Sequence, residues 1–234
     1  MFLSKYTTMS ATATDEQIRE IKRLFRKSMN GVVAASMREK GMAYRVNFGL
    51  TLPLIKRIAS SITPNEILAE RLWKEHVRES KMLATWLYPP QKMDMSTAKR
   101  WIDETPYTEI ADVCCMNLFP YIDDAPQLAT DCIASSTDMT RYIGYQLWYR
   151  LLSNGYILST AELQNILSSC LSHIHEKAPL HTLSAALRSI KQGAAKCPQK
   201  LEEIIVFFSS VDASEENQPL IEDIIEECRY LKDR

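Results

Sequence analysis

Apolar residues recur along the chain at three- and four-residue steps, as in Met82, Leu83, Trp86 and Leu87, then Leu163, Ile166, Leu167, Cys170, Leu171 and Ile174, then Leu180, Leu183, Leu187 and Ile190. This is the period of one helical face, and no stretch alternates apolar and polar as a half-buried strand does. The five-residue apolar run Ile204–Phe208 is the one rival; it follows Pro198 and the acids Glu202 and Glu203, so it reads as a helix with its acids in the first turn. Prolines at 53, 64, 106, 126, 179, 198 and 219 each precede a helical stretch, where a fixed φ and a missing N–H do least harm. Capping-box spacings begin at Thr14, Thr63 (with Pro64 at the first helical position) and Ser159, and Gly31, Gly41 and Gly155 read as stops. The pattern predicts about twelve helices of roughly ten to sixteen residues joined by short links. Hairpins seeded near residues 52, 95, 137 and 179 give an interval of about forty residues. The expected fold is all-α, an α-superhelix (solenoid) of stacked antiparallel HEAT-like helix pairs, with a flexible N-terminus over 1–13 and a single domain over 14–234.

Composition narrows the function classes. The 234 residues are 46% hydrophobic and 24% charged, a globular balance, and only six are glycine. Neither GxGxxG nor GxxxxGK[ST] can be written, so nucleotide-loop enzymes are excluded. No apolar run has the length of a signal peptide or a membrane span, and a cytoplasmic protein without membrane attachment is expected. The six cysteines lie in apolar helical surroundings without a CxxC pair and read as reduced core residues. His173 and His175, two apart, point in different directions on a helix, so surface or capping roles are expected rather than a metal site. No metal and no cofactor is implied. A net charge of −1 hides a polarity: residues 14–60 carry ten Lys/Arg against four Asp/Glu, and residues 201–234 carry three against ten. A basic amino-terminal third, Lys56 and Arg57 included, has the local potential to meet phosphates.

From Tyr44 onward, ordered blocks bear a wider likeness. They are Asn47–Leu50 leading to Pro53–Ala59, Leu68–Trp73, Glu79–Ala84, Trp101–Glu104, Ile110–Asp112 and a last one at Ile190–Lys196. Over about residues 44–200 the sequence resembles the DNA alkylation repair family, the AlkC- and AlkD-like HEAT-like repeat glycosylases. The resemblance implies a curved solenoid whose basic concave face holds duplex DNA and which excises alkylated purines, and a monomer is expected.

An alkylated purine leaves as a neutral base, so the enzyme's task is to stabilise the sugar cation. A carboxylate does this by charge, and electron-rich aromatic walls favour a cationic base. In the resembled family the carboxylate is an aspartate in a Trp-x-x-x-Asp segment. Asp112 falls on it as the catalytic candidate, with Thr108 at the i−4 place of the tryptophan and Tyr107 the nearest aromatic. The place of a second tryptophan falls near Arg188, which suits a phosphate or a neutral base rather than a cation. Tyr107, Thr108 and Arg188 are therefore the substrate-binding candidates, and Arg141, Lys191, Lys56 and Arg57 the DNA-binding ones. Tyr142, Tyr145 and Tyr149, with Trp148, form a stripe that reads as core before it reads as a stacking platform. Glu109 and Asp112 form an i,i+3 acid pair that a first helical turn explains. Two readings stay open: a DNA-binding repair protein with excision centred on Asp112, and a non-catalytic HEAT-like scaffold that binds DNA or, through its acidic Ile221–Glu227 stretch, a basic protein partner.

Overall fold

The computed structural model describes residues 3–211 and 217–233, with side chains from residue 14 onward. Contacts divide the chain into two compact units, Met1–Met93 and Asp94–Arg234. Among the described residues all regular structure is helical, apart from one isolated parallel bridge between Val46 and Val77, and no helix is long and apolar enough to cross a membrane.

Unit 1 contains α1 (Leu3–Lys27), α2 (Gly31–Glu39), α3 (Leu52–Ala59), α4 (Glu66–Trp73) and α5 (Arg78–Leu87). Its core is Phe25, Leu50, Ile55, Leu68, Leu72, Trp73 and Leu83, all fully buried, where α4 packs on α5, α3 on α5 and α1 on α4. Thr14 lies inside α1 rather than at its start. Gly31 opens α2 instead of closing α1, because Asn30 is the cap and its side chain accepts from the Val33 N–H at 3.2 Å. Likewise Asn65, not Thr63, caps α4, taking the Leu68 N–H at 2.9 Å, and Pro64 sits just outside the helix.

The irregular segment before α3 is held by a buried carboxylate. Glu79, at 0% exposure, accepts the Phe48 N–H at 3.1 Å and the Leu50 N–H at 3.2 Å, while Arg78 donates to the Leu50 carbonyl at 2.9 Å and to Glu79 at 3.1 Å. Two backbone donors that the loop strands away from water are thereby satisfied, and the buried charge is paired. Between them Gly49 adopts φ +71, and a Cβ there would stand 2.2 Å from the Asn30 carbonyl oxygen. Only glycine fits so close an approach.

Unit 2 holds α6 (Met95–Asp103), α7 (Thr108–Asn117), α8 (Ala125–Ile133), α9 (Asp138–Ser153), α10 (Thr160–His175), α11 (Leu180–Lys196), α12 (Leu201–Ser209) and α13 (Gln218–Lys232). The apolar run at 204–208 is helical, as its acidic start predicts. Helices α8 and α9, α10 and α11, and α12 and α13 pack as successive pairs, and α7, α9, α11 and α13 lie against one another in series. This is the stacked-pair architecture expected of HEAT-like repeats. The pairs are offset from the predicted hairpins: those seeded near 137 and 179 begin at the second helix of a pair, α9 and α11, since Pro126 and Ser159 open the partners before them. The full capping box at Ser159 and Glu162 is present. All six cysteines are free and buried.

His173 departs from its expected surface or capping role. It is 4% exposed, its Nδ1 lies 2.8 Å from the Tyr145 hydroxyl, and the two rings meet edge to face. Burial, and secondarily Arg141, holds its pKa below the ordinary histidine value.

Two outcomes follow from these buried groups. Glu79→Ala leaves the loop N–H groups without their acceptor and removes the buried carboxylate beside Arg78, and the expected loss is about 3–5 kcal/mol in urea unfolding; a loss below about 1 kcal/mol would show that the loop does not need its carboxylate. For His173, the unfolded ring protonates as pH falls through about 6.5 while the folded ring resists, so the stability contributed by the neutral ring is complete above that pH and declines below it. The melting temperature of the wild type should therefore drop more between pH 7.5 and pH 5 than that of His173→Gln, and equal drops would contradict the buried neutral ring.

Candidate functional site

The serial row α7, α9, α11 and α13 carries the candidate residues of unit 2. Tyr107 is the N-cap of α7, extended at φ −148, and Thr108 is its first helical residue. One turn on, Asp112 faces α9. There Tyr142 and Gln146, four residues apart and so on one face, converge on a single carboxylate oxygen. The Tyr142 hydroxyl donates to Asp112 Oδ1 at 2.7 Å, and Gln146 Nε2 donates to the same oxygen at 2.7 Å and to the Tyr142 oxygen at 2.6 Å. From α11, an Arg188 Nη2 donates to Gln146 Oε1. The guanidinium carbon also lies 4.8 Å from the centroid of the Tyr149 ring, within cation–π range.

Charge fixes the direction of every bond in this chain. A carboxylate only accepts and a guanidinium only donates, so the carboxamide must turn its nitrogen to Asp112 and its oxygen to Arg188. Tyr142 is 7% exposed and Gln146 5%, whereas Asp112 is half-buried and Arg188 exposed. Burial, then the bond to Asp112, pushes the Tyr142 phenol far above its ordinary pKa, so it remains a donor at any physiological pH.

Beyond Arg188 a groove of about 490 Å3 opens, lined by Tyr149, Ser184, Leu187, Arg188, Lys191 and, from α13, Glu227 among others. The Lys191 ammonium lies 2.7 Å from Asp223, also on α13, and both groups are partly exposed. The groove mouth therefore mixes a held guanidinium, an ion-paired ammonium and carboxylates.

The structure thus brings Asp112, Arg188 and Lys191 to one row of helices, with Tyr107 and Thr108 in the first turn of the helix that carries Asp112. Arg141 is on the same row, in the first turn of α9, but its side chain does not join Asp112 and Arg188. That side chain is turned to the Ser135 carbonyl at 2.6 Å, Glu176 at 3.0 Å and Asp138 at 3.7 Å, a local clasp around the start of α9. Lys56 and Arg57 are exposed on α3, in unit 1. In the aromatic stripe, Tyr145 and Trp148 are fully buried core, and Tyr149 alone reaches the groove. No cluster of three or more His, Cys, Asp or Glu suited to a metal occurs among the described residues. Gln146 is the residue that sequence reasoning missed. Its signal is a lone amide among Ile143, Tyr145, Leu147 and Trp148, where a buried polar group must find partners.

No curated protein matches the chain. A solved structure described as a new family of proteins related to the HEAT-like repeat DNA glycosylases, with affinity for branched DNA structures, is 21% identical to it. That match covers 91% of this chain and 94% of the other at a TM-score of 0.74, which establishes a common fold. The profile of the family described as DNA alkylation repair enzyme matches residues 7–187, a span that starts in α1, takes in Asp112, Tyr142 and Gln146, and stops one residue before Arg188. The chain therefore belongs to the DNA alkylation repair enzyme family.

Proposed function

We propose that this protein binds DNA through phosphate contacts made at the α11 edge of the groove by Arg188 and Lys191, and that base excision is at most a slow side activity centred on Asp112. The observation that carries the reading is Arg188: an exposed guanidinium, braced by a buried amide and a tyrosine face, at the mouth of an open groove. Braced arginine is the side chain best matched to phosphate oxygens, because its planar fork loses little freedom on binding. The affinity of the structurally similar protein for branched DNA supports the same reading, and makes a branched duplex the substrate to try first.

The same geometry disfavours rapid excision. A cationic alkylated base is drawn to aromatic faces and repelled by a guanidinium, and the aromatic face available, Tyr149, is already occupied by Arg188. Asp112 spends one oxygen on two donors, which disperses the negative charge that a sugar cation would need.

Two measurements test this. A four-way junction and a linear duplex should both bind in a gel-shift titration, the junction more tightly, with log–log salt slopes of about −0.9 per neutralised phosphate. Arg188→Ala should reduce the slope by about one. Absence of binding at tens of micromolar protein in low salt would favour the scaffold reading, since even non-specific binders reach about that affinity. Release of 7-methylguanine from alkylated duplex should be slow and should disappear in Asp112→Asn. Rapid release, or release indifferent to Asp112→Asn, would overturn the proposed role of the site.

A further inference from the structure

Gln146 stands between the family's carboxylate and the arginine proposed to meet DNA, and it touches both. Its two N–H groups go to Asp112 and Tyr142, and its oxygen accepts from Arg188, so no polar atom of the amide is left to rotate toward another partner. The residue is 5% exposed, and the Tyr142 hydroxyl, itself donating to Asp112, closes a three-membered ring of bonds that holds the amide plane. Arg188, by contrast, is exposed and sits on a long side chain. Apart from the Tyr149 face, the Gln146 oxygen is the contact that orients it.

We propose that Gln146 is a positioning residue for the DNA contact: it transmits the fixed position of Asp112 to Arg188 and so sets how the guanidinium meets a phosphate. This rests on the reading of Arg188 as a phosphate contact. The negative charge of Asp112 polarises the amide and makes its oxygen a better acceptor, so the carboxylate acts on the arginine without touching it. One N–H of the five on Arg188 is used in this way, and four remain for phosphate oxygens. Because the guanidinium is ordered before DNA arrives, the ordering cost is not charged to binding. Asp112 thus has a use in a DNA-binding protein that does not require it to act on a sugar cation.

The test is a double-mutant cycle on the affinity and salt slope for a labelled four-way junction, with Gln146→Met chosen to keep the side chain's length and volume. Gln146→Met and Arg188→Ala are each expected to weaken binding about five- to tenfold and to lower the slope by about one, and the double variant should bind no more weakly than Arg188→Ala alone. Thermal unfolding verifies that each variant folds. Should Gln146→Met not fold, Tyr142→Phe, which removes the hydroxyl that braces the amide, takes its place in the same cycle with a smaller loss in the same direction. Wild-type affinity in Gln146→Met (or in its replacement), or additive losses in the double variant, with Arg188→Ala impaired, overturns the positioning role alone. Wild-type affinity in Arg188→Ala overturns the phosphate-contact reading, and the positioning role with it.

Discussion

Helices α8 and α9 meet at Gly144 with no room for a methyl group: a Cβ there would stand 2.7 Å from the Ile133 nitrogen and 2.8 Å from the Cys132 Cβ. That close crossing fixes where α9 lies, and the site hangs from α9. At about 100° per residue, Tyr142, Gln146 and Tyr149 fall on the side of the helix roughly opposite Gly144. One face is thus pressed against α8 by shape, and the other is free to be polar and to reach both α7 and α11. A bulkier residue at 144 would shift the three contact residues together, because they share one rigid cylinder.

The two units use a hydrogen-bonded carboxylate for different ends. Glu79 serves the backbone, capping N–H groups that a loop has taken away from water, and its neighbour Arg78 balances the charge locally. Asp112 serves side chains: its donors come from another helix, and the balancing guanidinium is one amide further away. The first arrangement is closed. The second ends in an exposed cation, and the first in a buried one.

Much of this was readable from residue order. Helix starts are legible because proline and the small polar caps act within one turn, as Ser159 and Glu162 do, and the helical reading of the 204–208 run rests on equally local evidence. Which helices pair is a matter of tertiary packing, so the periodic pattern placed hairpins at α9 and α11 when each is the second member of its pair. Asp112 enters as a candidate through the resemblance, and Arg188 as a departure from it. Gln146 escaped because an amide has no charge to betray it and its partners lie 34 and 42 positions away. Arg141 shows the converse: it looks like a phosphate contact in sequence, yet a carbonyl and two carboxylates at the start of α9 and the end of α10 already claim it.

Lys191 carries its own counter-charge, the Asp223 carboxylate, on the next helix of the row. A phosphate arriving there would compete with a tethered carboxylate for the ammonium, whereas at Arg188 it would meet a guanidinium whose partner is a neutral amide. The tether also keeps the carboxylate within reach while the anion is bound, ready to take the ammonium back. Two cations three residues apart on one helix thus differ in kind: the resident partner of one is a neutral amide, and that of the other is a carboxylate.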